Sequence, residues 1–400
     1  MSILKEIMAT DEQYYVHVFK RLPVCFDHGE GTVLYDLDGN RYLDFLAGIA
    51  VNALGHAHPK MVAAIKAQAE KLIHCSNLYY IRSQTELAKK LLDRTCLDKV
   101  FFSNSGAEAN EAALKLAKIY HYKNGAPDRY HFITASASFH GRTLATVAAT
   151  AQEHYQKPYR PIVQGFSHVP FNDFDAIKAI ASKELTAAIM LELVQGESGV
   201  HPADYHYIQK VAKLCKDLGI LLIIDEIQTG LGRTGKLFAY EHYDVEPDIM
   251  TLAKALGCGF PIGAMLAKDS VAQAFGPGDH GSTYAGGPLA CAVAGAALDV
   301  ILDENLPNAA AEKGAYIVEK LKLLRRTFPV ITEIRSKGLM VACQFGQPIA
   351  GKVQASLFDA GCLAATVGDS ILRMLPPLNV KTAEIDEFIE KLSSALAEAV

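Results

Sequence analysis

The hydrophobic and polar positions of this chain divide it into three stretches. Up to about residue 55, an N-terminal helical segment gives way to short apolar runs at 24–26, 32–35 and 42–45. These runs are punctuated by Gly29, Gly31 and Asp38-Gly39-Asn40, which predicts hairpins. From there to about residue 290, helical spacing alternates with unbroken apolar runs at 100–102, 131–134, 187–191, 220–224, 249–252 and 263–266. That rhythm predicts a mostly parallel sheet with helices on both faces. A small-residue helix at 288–302, a helix at 309–326 and strands at 338–345 and 371–375 follow. The chain closes on a helix whose Ile385, Phe388, Ile389, Leu392 and Leu396 share one stripe. The pattern predicts an α/β protein. A large domain over 56–287 is joined to a smaller α+β domain built from both chain ends, 1–55 and 288–400.

The central stretch, 219–261, concentrates the candidate chemistry. Ile220 to Ile224 is apolar at every position, which suits a strand covered on both faces. It stops at Asp225 and Glu226, where an open α/β sheet binds its ligands. Lys254 follows a second apolar run and precedes the turn Gly257-Cys-Gly259-Phe-Pro261. A strand-end lysine in apolar surroundings loses its proton readily. Taken singly, Asp225 reads as a helix cap and Lys254 as a surface lysine. Together they match pyridoxal phosphate, which needs a Schiff-base lysine and an acid on its pyridine nitrogen. Gly230-Leu-Gly232-Arg-Thr-Gly235 matches GxGxxG, but nothing clearly helical follows it. Residues 230–236 also approach a P-loop, yet Leu237 stands where the magnesium-binding hydroxyl belongs. These glycines are expected to form a turn, which counts against a nucleotide-binding ATPase.

Three further segments add to the cofactor reading. Ser105-Gly106-Ala107 leads from a strand into a helix whose unpaired N–H groups suit a phosphate, or an ordinary N-cap. In Phe139-His-Gly-Arg142, the ring can lie on a planar ligand and the guanidinium can grip a carboxylate. Arg373 sits inside a strand pattern and needs a partner, for which Glu197 is a candidate.

Composition narrows the class further. The net charge is −5 with no basic run, which argues against a nucleic-acid partner. No window is apolar enough for a bilayer, and the first residues lack the pattern of a signal peptide. Eight cysteines are scattered without a CxxC pair, as expected of reduced thiols in a cytoplasmic protein. His56 and His58 read as turn residues, and no metal site is expected.

Over about residues 40–380 the chain resembles the class III pyridoxal-phosphate aminotransferases, with the motifs in the family's order. The matching segments are LDFLAGIAVNALGHAHP, FFSNSGAEANEAALKLA, FHGRT, QGESGVHPA, DEIQTGLGRTGKLFAYE, AKALGCGFPIGAM, GDHGSTYAGGPLA and ILRMLPPL. The resemblance implies the type I fold of pyridoxal-phosphate-dependent transferases. It implies that Lys254 binds the cofactor covalently, Asp225 pairs with its pyridine nitrogen and Gln228 lies by its phenolic oxygen. Phe139 and Ile227 would sandwich the ring, while Ser105, Gly106 and Ala107 hold the phosphate. Thr283 would complete that phosphate site from the partner subunit of a homodimer, with Ser282 beside the substrate. Arg142 would take the substrate carboxylate and Glu197 would shield Arg373. The implied reaction moves a terminal amino group from N2-acetylornithine to 2-oxoglutarate. Ornithine, succinylornithine, succinyldiaminopimelate and 4-aminobutyrate are the alternative donors. The chain departs from the family at Leu193, where Pro is usual, at Cys258, which interrupts a glycine run, and at Phe19, where relatives often carry Tyr.

Overall fold

The computed structural model describes residues 2–400. A seven-stranded sheet runs in the spatial order Lys99–Ser103, Gly263–Ala267, Ile249–Leu252, Leu221–Asp225, Thr186–Leu191, His131–Ala135 and Phe166–Val169. All strands point the same way except Gly263–Ala267, which is antiparallel to both neighbours. A parallel return requires a crossover of a dozen or more residues. Residues 253–262 are too few, so the chain doubles straight back after Lys254.

The unbroken apolar run has the cause its pattern predicts. Leu222 and Ile224 pack into the hydrophobic cluster on one face of the sheet, Leu221 and Ile223 into the cluster on the other. Helix Tyr205–Leu218 feeds this strand. Asp204 caps its start by accepting the Tyr207 N–H at 2.9 Å, and Gly219 ends it in the left-handed conformation at φ 62°. Phe166–Val169 has no predicted counterpart. It is the sheet's edge strand and its two central positions are Ser167 and His168, so no apolar run marks it.

The chain ends meet in a second sheet. Phe26–Glu30, Val33–Asp36 and Arg41–Asp44 form an antiparallel meander, and Cys362–Leu363 adds in parallel beside Arg41–Asp44. A third, antiparallel sheet orders Ile331–Lys337, Met340–Phe345, Ile371–Met374 and Ala365–Val367. The predicted stripe of the last helix, Thr382–Ala399, is buried, and Phe388 stacks on Phe45 at 4.0 Å. Helix Ile3–Tyr14 has no buried residue. Among the described residues no helix is long and apolar enough to cross a membrane.

Candidate active site

The carboxyl ends of the parallel strands supply the site. In-register pairing of Ile224 with Leu191 sets Asp225 beside Glu192, and Asp225 itself pairs with Thr251. Three residues later the backbone turns sharply at Lys254, a non-glycine residue held at φ 36°. Such strain persists only where the surroundings over-determine it. Asp225 and Lys254 both line one cleft of about 400 Å³, within the usual range for small ligands.

Asp225 is almost fully buried and heavily hydrogen-bonded. Its Oδ2 accepts from Asn110 Nδ2 at 2.8 Å and faces His140 Nδ1 at 2.8 Å, while Oδ1 accepts the Ile227 N–H at 3.0 Å. Asn110 is locked in turn. It donates to the His140 carbonyl at 2.7 Å and accepts from Thr251 Oγ1 at 2.7 Å. Burial works against charge on His140, but the hydrogen bond and the charge of Asp225 outweigh it and hold the imidazole's pKa above its ordinary value. Glu192 accepts the Phe139 N–H at 3.1 Å. Burial, with Asp225 as a like-charged neighbour, pushes its carboxyl up to about 8. Burial also lowers the pKa of Lys254 against the pull of Glu197 and Asp225. An amine that sheds its proton more easily is a better nucleophile and base.

The walls of the cleft are shaped by missing side chains. A Cβ on Gly106 would lie 2.8 Å from Ile227 Cδ1, so the bare position lets Ile227 lie against the helix start. A Cβ on Gly196 would collide with the Gln228 side chain, whose Oε1 is buried without a partner. Ser105 caps helix Gly106–Lys123, accepting the Glu108 N–H at 3.2 Å. The N-cap is formed as expected, and the first turn of that helix opens on the cleft through Gly106 and Ala107, where its free N–H groups suit an anion. Val51 lines the cleft from the end of a left-handed turn in which Ala47, Gly48, Ile49 and Ala50 all have φ between 50 and 65°. Left-handed turns cost non-glycine residues about 1–2 kcal/mol each. Asp44 holds this one by accepting the N–H groups of Leu46 at 2.9 Å and Ala47 at 2.8 Å, and it is itself held by His56 Nε2 at 2.8 Å.

The two arginines differ in their exposure. Arg142 is exposed at the rim, its guanidinium 3.7 Å from the Tyr155 ring centre and 5.5 Å from that of Phe139. Arg373 is buried behind the cleft, where its Nη1 donates to Glu197 Oε1 at 3.0 Å and to the Gly196 carbonyl at 2.7 Å. Burial raises the Glu197 carboxyl, but the charges of Arg373 and Lys254 overcome it and leave the pKa lowered.

Ser282 and Thr283 lie outside the cleft. Ser282 accepts from Asn104 Nδ2 at 2.9 Å, whereas Thr283 is exposed on its loop. Phe19 is 64% exposed and does not reach the cleft. Leu193 is buried in the core, and the Cys258 thiol donates to the Ala255 carbonyl at 3.2 Å. Glu226 points away from the site. It accepts the Ala239 and Tyr240 N–H groups at 2.7 and 2.9 Å and so closes the glycine turn at 230–235.

Asn110, His140, Glu192 and Thr251 carry no role in the sequence reading, although Asn110, His140 and Thr251 build the cradle of Asp225 and Glu192 lies beside it. A signal existed for Glu192, since two apolar runs each end in an acid and neighbouring parallel strands bring such ends together. Another existed for Asn110, a polar residue on the buried stripe of its helix.

Residues 14–396 match the family described as aminotransferase class-III. Acetylornithine aminotransferases from Caldanaerobacter subterraneus subsp. tengcongensis and Methanocaldococcus jannaschii are 48% and 49% identical to the chain over 388 and 389 residues. These alignments cover 97% of this chain in both cases, and 98% and 97% of the relatives. The ornithine aminotransferase structure from Toxoplasma gondii ME49 is similar with a TM-score of 0.94 at 33% identity, covering 100% of this chain and 96% of that one. The chain therefore belongs to the class III aminotransferases, a family whose cofactor is pyridoxal 5′-phosphate.

Proposed function

We propose that this protein transfers the terminal amino group of N2-acetyl-L-ornithine to 2-oxoglutarate, giving N-acetyl-L-glutamate 5-semialdehyde and L-glutamate. The observation that carries the reading is a single cleft with an easily deprotonated lysine, a buried anchored carboxylate and one masked arginine. The residues present fit the cofactor. The buried, unpartnered Gln228 Oε1 is an acceptor in want of a donor, and the helix start at Gly106 and Ala107 offers N–H groups to a phosphate. Phe139 and Ile227 would hold a flat ring between them.

Bound pyridoxal phosphate supplies an aldehyde for the amine and a ring that accepts electron density. Asp225 would keep the cofactor's pyridine nitrogen protonated, and the His140 and Asn110 hydrogen bonds fix the position of its carboxylate. Lys254 Nζ removes the proton from the amine-bearing carbon of the substrate and later returns one. Arg142 grips the distant carboxylate of acetylornithine with a planar fork of donors. Glutamate carries a carboxylate beside its reacting amine and needs a second arginine. Glu197 masks Arg373 from the first donor and swings aside for the second, because an open arginine would bind the wrong carboxylate.

The donor identity is supported by the names of the relatives at 48–49% identity, against 33% for the ornithine enzyme. A homodimer belongs to this reading. Leu78, Tyr79, Tyr80 and Tyr284 are all exposed, as residues that a second copy covers would be, and Thr283 would reach the partner's phosphate site beside Tyr284. The division into a large domain, 56–287, and a smaller one from 1–55 and 288–400 is supported by the shared sheet of Arg41–Asp44 and Cys362–Leu363. A cytoplasmic location accords with four of the eight thiols lying buried. A panel of amines assayed with 2-oxoglutarate tests the proposal. The highest kcat/KM should fall on N2-acetyl-L-ornithine, and a preference for ornithine or 4-aminobutyrate would reassign the donor.

A further inference from the structure

The loop that carries Glu197 is held by two arginines from the same row of the third sheet. Arg335 pairs with Ala342 across one strand boundary, and Ala342 pairs with Arg373 across the next. Directly opposed residues of antiparallel strands share a face, so both guanidiniums stand on one side of the sheet with a single methyl group between them. The loop lies across that row. Arg373 Nη1 holds the carbonyl of Gly196 at 2.7 Å, and Arg335 Nε holds the carbonyl of Gly199 at 2.9 Å. Glu197 is therefore bracketed, one carbonyl before it and one two residues after it.

The approach at Gly199 has been made close. Its φ is +119°, and a Cβ there would lie 2.7 Å from Ile371 Cδ1 and 3.2 Å from Arg335 Nη2. Arg335 is 9% exposed and spans three partners at once. It also donates to the Glu333 carboxylate and, through Nη2, to Gln344 Oε1 at 3.3 Å. A lysine offers no such fork. Two weaker ties close the loop, Ser198 Oγ to Gln195 Oε1 at 3.3 Å and His201 Nε2 to the Ser198 carbonyl at 3.2 Å.

We propose that Arg335 is a positioning residue for the choice between amine donors. By fixing the Gly199 carbonyl it keeps the loop still, so that Arg373 is uncovered by rotation of the Glu197 side chain alone. Without that anchor only Arg373 holds the loop's polar groups from the sheet, at the Gly196 carbonyl and the Glu197 carboxylate, and Glu197 spends less time over it. Donors with a carboxylate next to the amine then gain, and N2-acetyl-L-ornithine loses. The inference rests on the Glu197–Arg373 switch proposed above.

The test measures the two half-reactions separately, with N2-acetyl-L-ornithine and with L-glutamate as amine donors to the holoenzyme. Arg335→Lys should lower the ratio of their kcat/KM values about tenfold, the worth of one charge-assisted hydrogen bond. Gly199→Ala should do the same without altering any arginine. In a Glu197→Gln background, Arg335→Lys should leave the ratio unchanged, because its route of action is already cut. A purely structural role would lower the melting temperature and slow both half-reactions alike. If Glu197→Gln shifts the ratio while both Arg335→Lys and Gly199→Ala leave it flat, the role of Arg335 falls and the switch stands. A flat ratio in Glu197→Gln itself overturns the switch, and this inference with it.

Discussion

His140 Nδ1 lies 2.8 Å from Asp225 Oδ2, and both side chains are shut away from solvent. The carboxylate's charge and hydrogen bond favour the protonated imidazole and outweigh the cost of burying it. Because the folded pKa of His140 is raised above 6.5, its contribution to stability is fully present below about pH 6.5. That contribution is lost as pH rises through the raised value. His140→Gln should therefore destabilise the protein by about 2 kcal/mol at acidic pH, the worth of a hydrogen bond to a charged group. The gap to the wild type should narrow toward alkaline pH. Thermal melts of both proteins across pH 5 to 9, at equal cofactor loading, check this, and a gap that widened with pH would contradict it.

Glu192 makes a second contribution to the same profile. Its carboxyl, pushed up to about 8, binds its proton more tightly in the folded than in the unfolded chain. Stability from this group is present below its ordinary range near 4.5 and falls as pH climbs through 8. Glutamine keeps the acceptor for the Phe139 N–H and cannot ionise. Glu192→Gln should match the wild type near pH 5 and exceed its melting temperature at pH 9, with turnover at pH 7 retained within a few-fold.

Lys254 is the residue whose loss should be most complete. Lys254→Ala removes both the covalent anchor and the proton carrier, so turnover should fall by at least about 10³-fold. The visible absorption of the holoenzyme should change with it. An unchanged spectrum in that variant would assign the cofactor to another lysine.

How far the sequence reveals this site depends on what each residue's signal is made of. The Leu221–Asp225 strand is legible because both faces of the sheet are covered, which forces apolar residues at successive positions. Asp225 is legible because such a run ends on it. Phe166–Val169 is not, since an edge position tolerates Ser167 and His168. The reversal of Gly263–Ala267 is a matter of loop length, and it follows from counting residues between Leu252 and Gly263. The cradle of Asp225 is a different case. Asn110, His140 and Thr251 come from three separate segments and meet only through strand register and one helix start, which no single stretch records. The left-handed turn at Ala47–Ala50 is hidden for a related reason. Its strain is held by Asp44 and His56 from outside the turn, so its own residues look like an ordinary apolar run.

Thr283 offers a prediction about assembly. It is exposed on its own chain and lies outside the cleft lined by Lys254, so a role in phosphate binding requires a second subunit. Thr283→Ala removes one hydroxyl donor and should weaken cofactor retention about tenfold. The decisive measurement mixes that variant with Lys254→Ala under conditions that exchange subunits. In a hybrid dimer, the Thr283→Ala subunit keeps its lysine and receives an intact threonine from its neighbour. One complete site is thereby rebuilt from two defective proteins. At limiting cofactor the mixture should exceed the summed activity of the separate variants. If Thr283 acted within its own chain, no hybrid could contain a complete site, and mixing would leave the activity where it began.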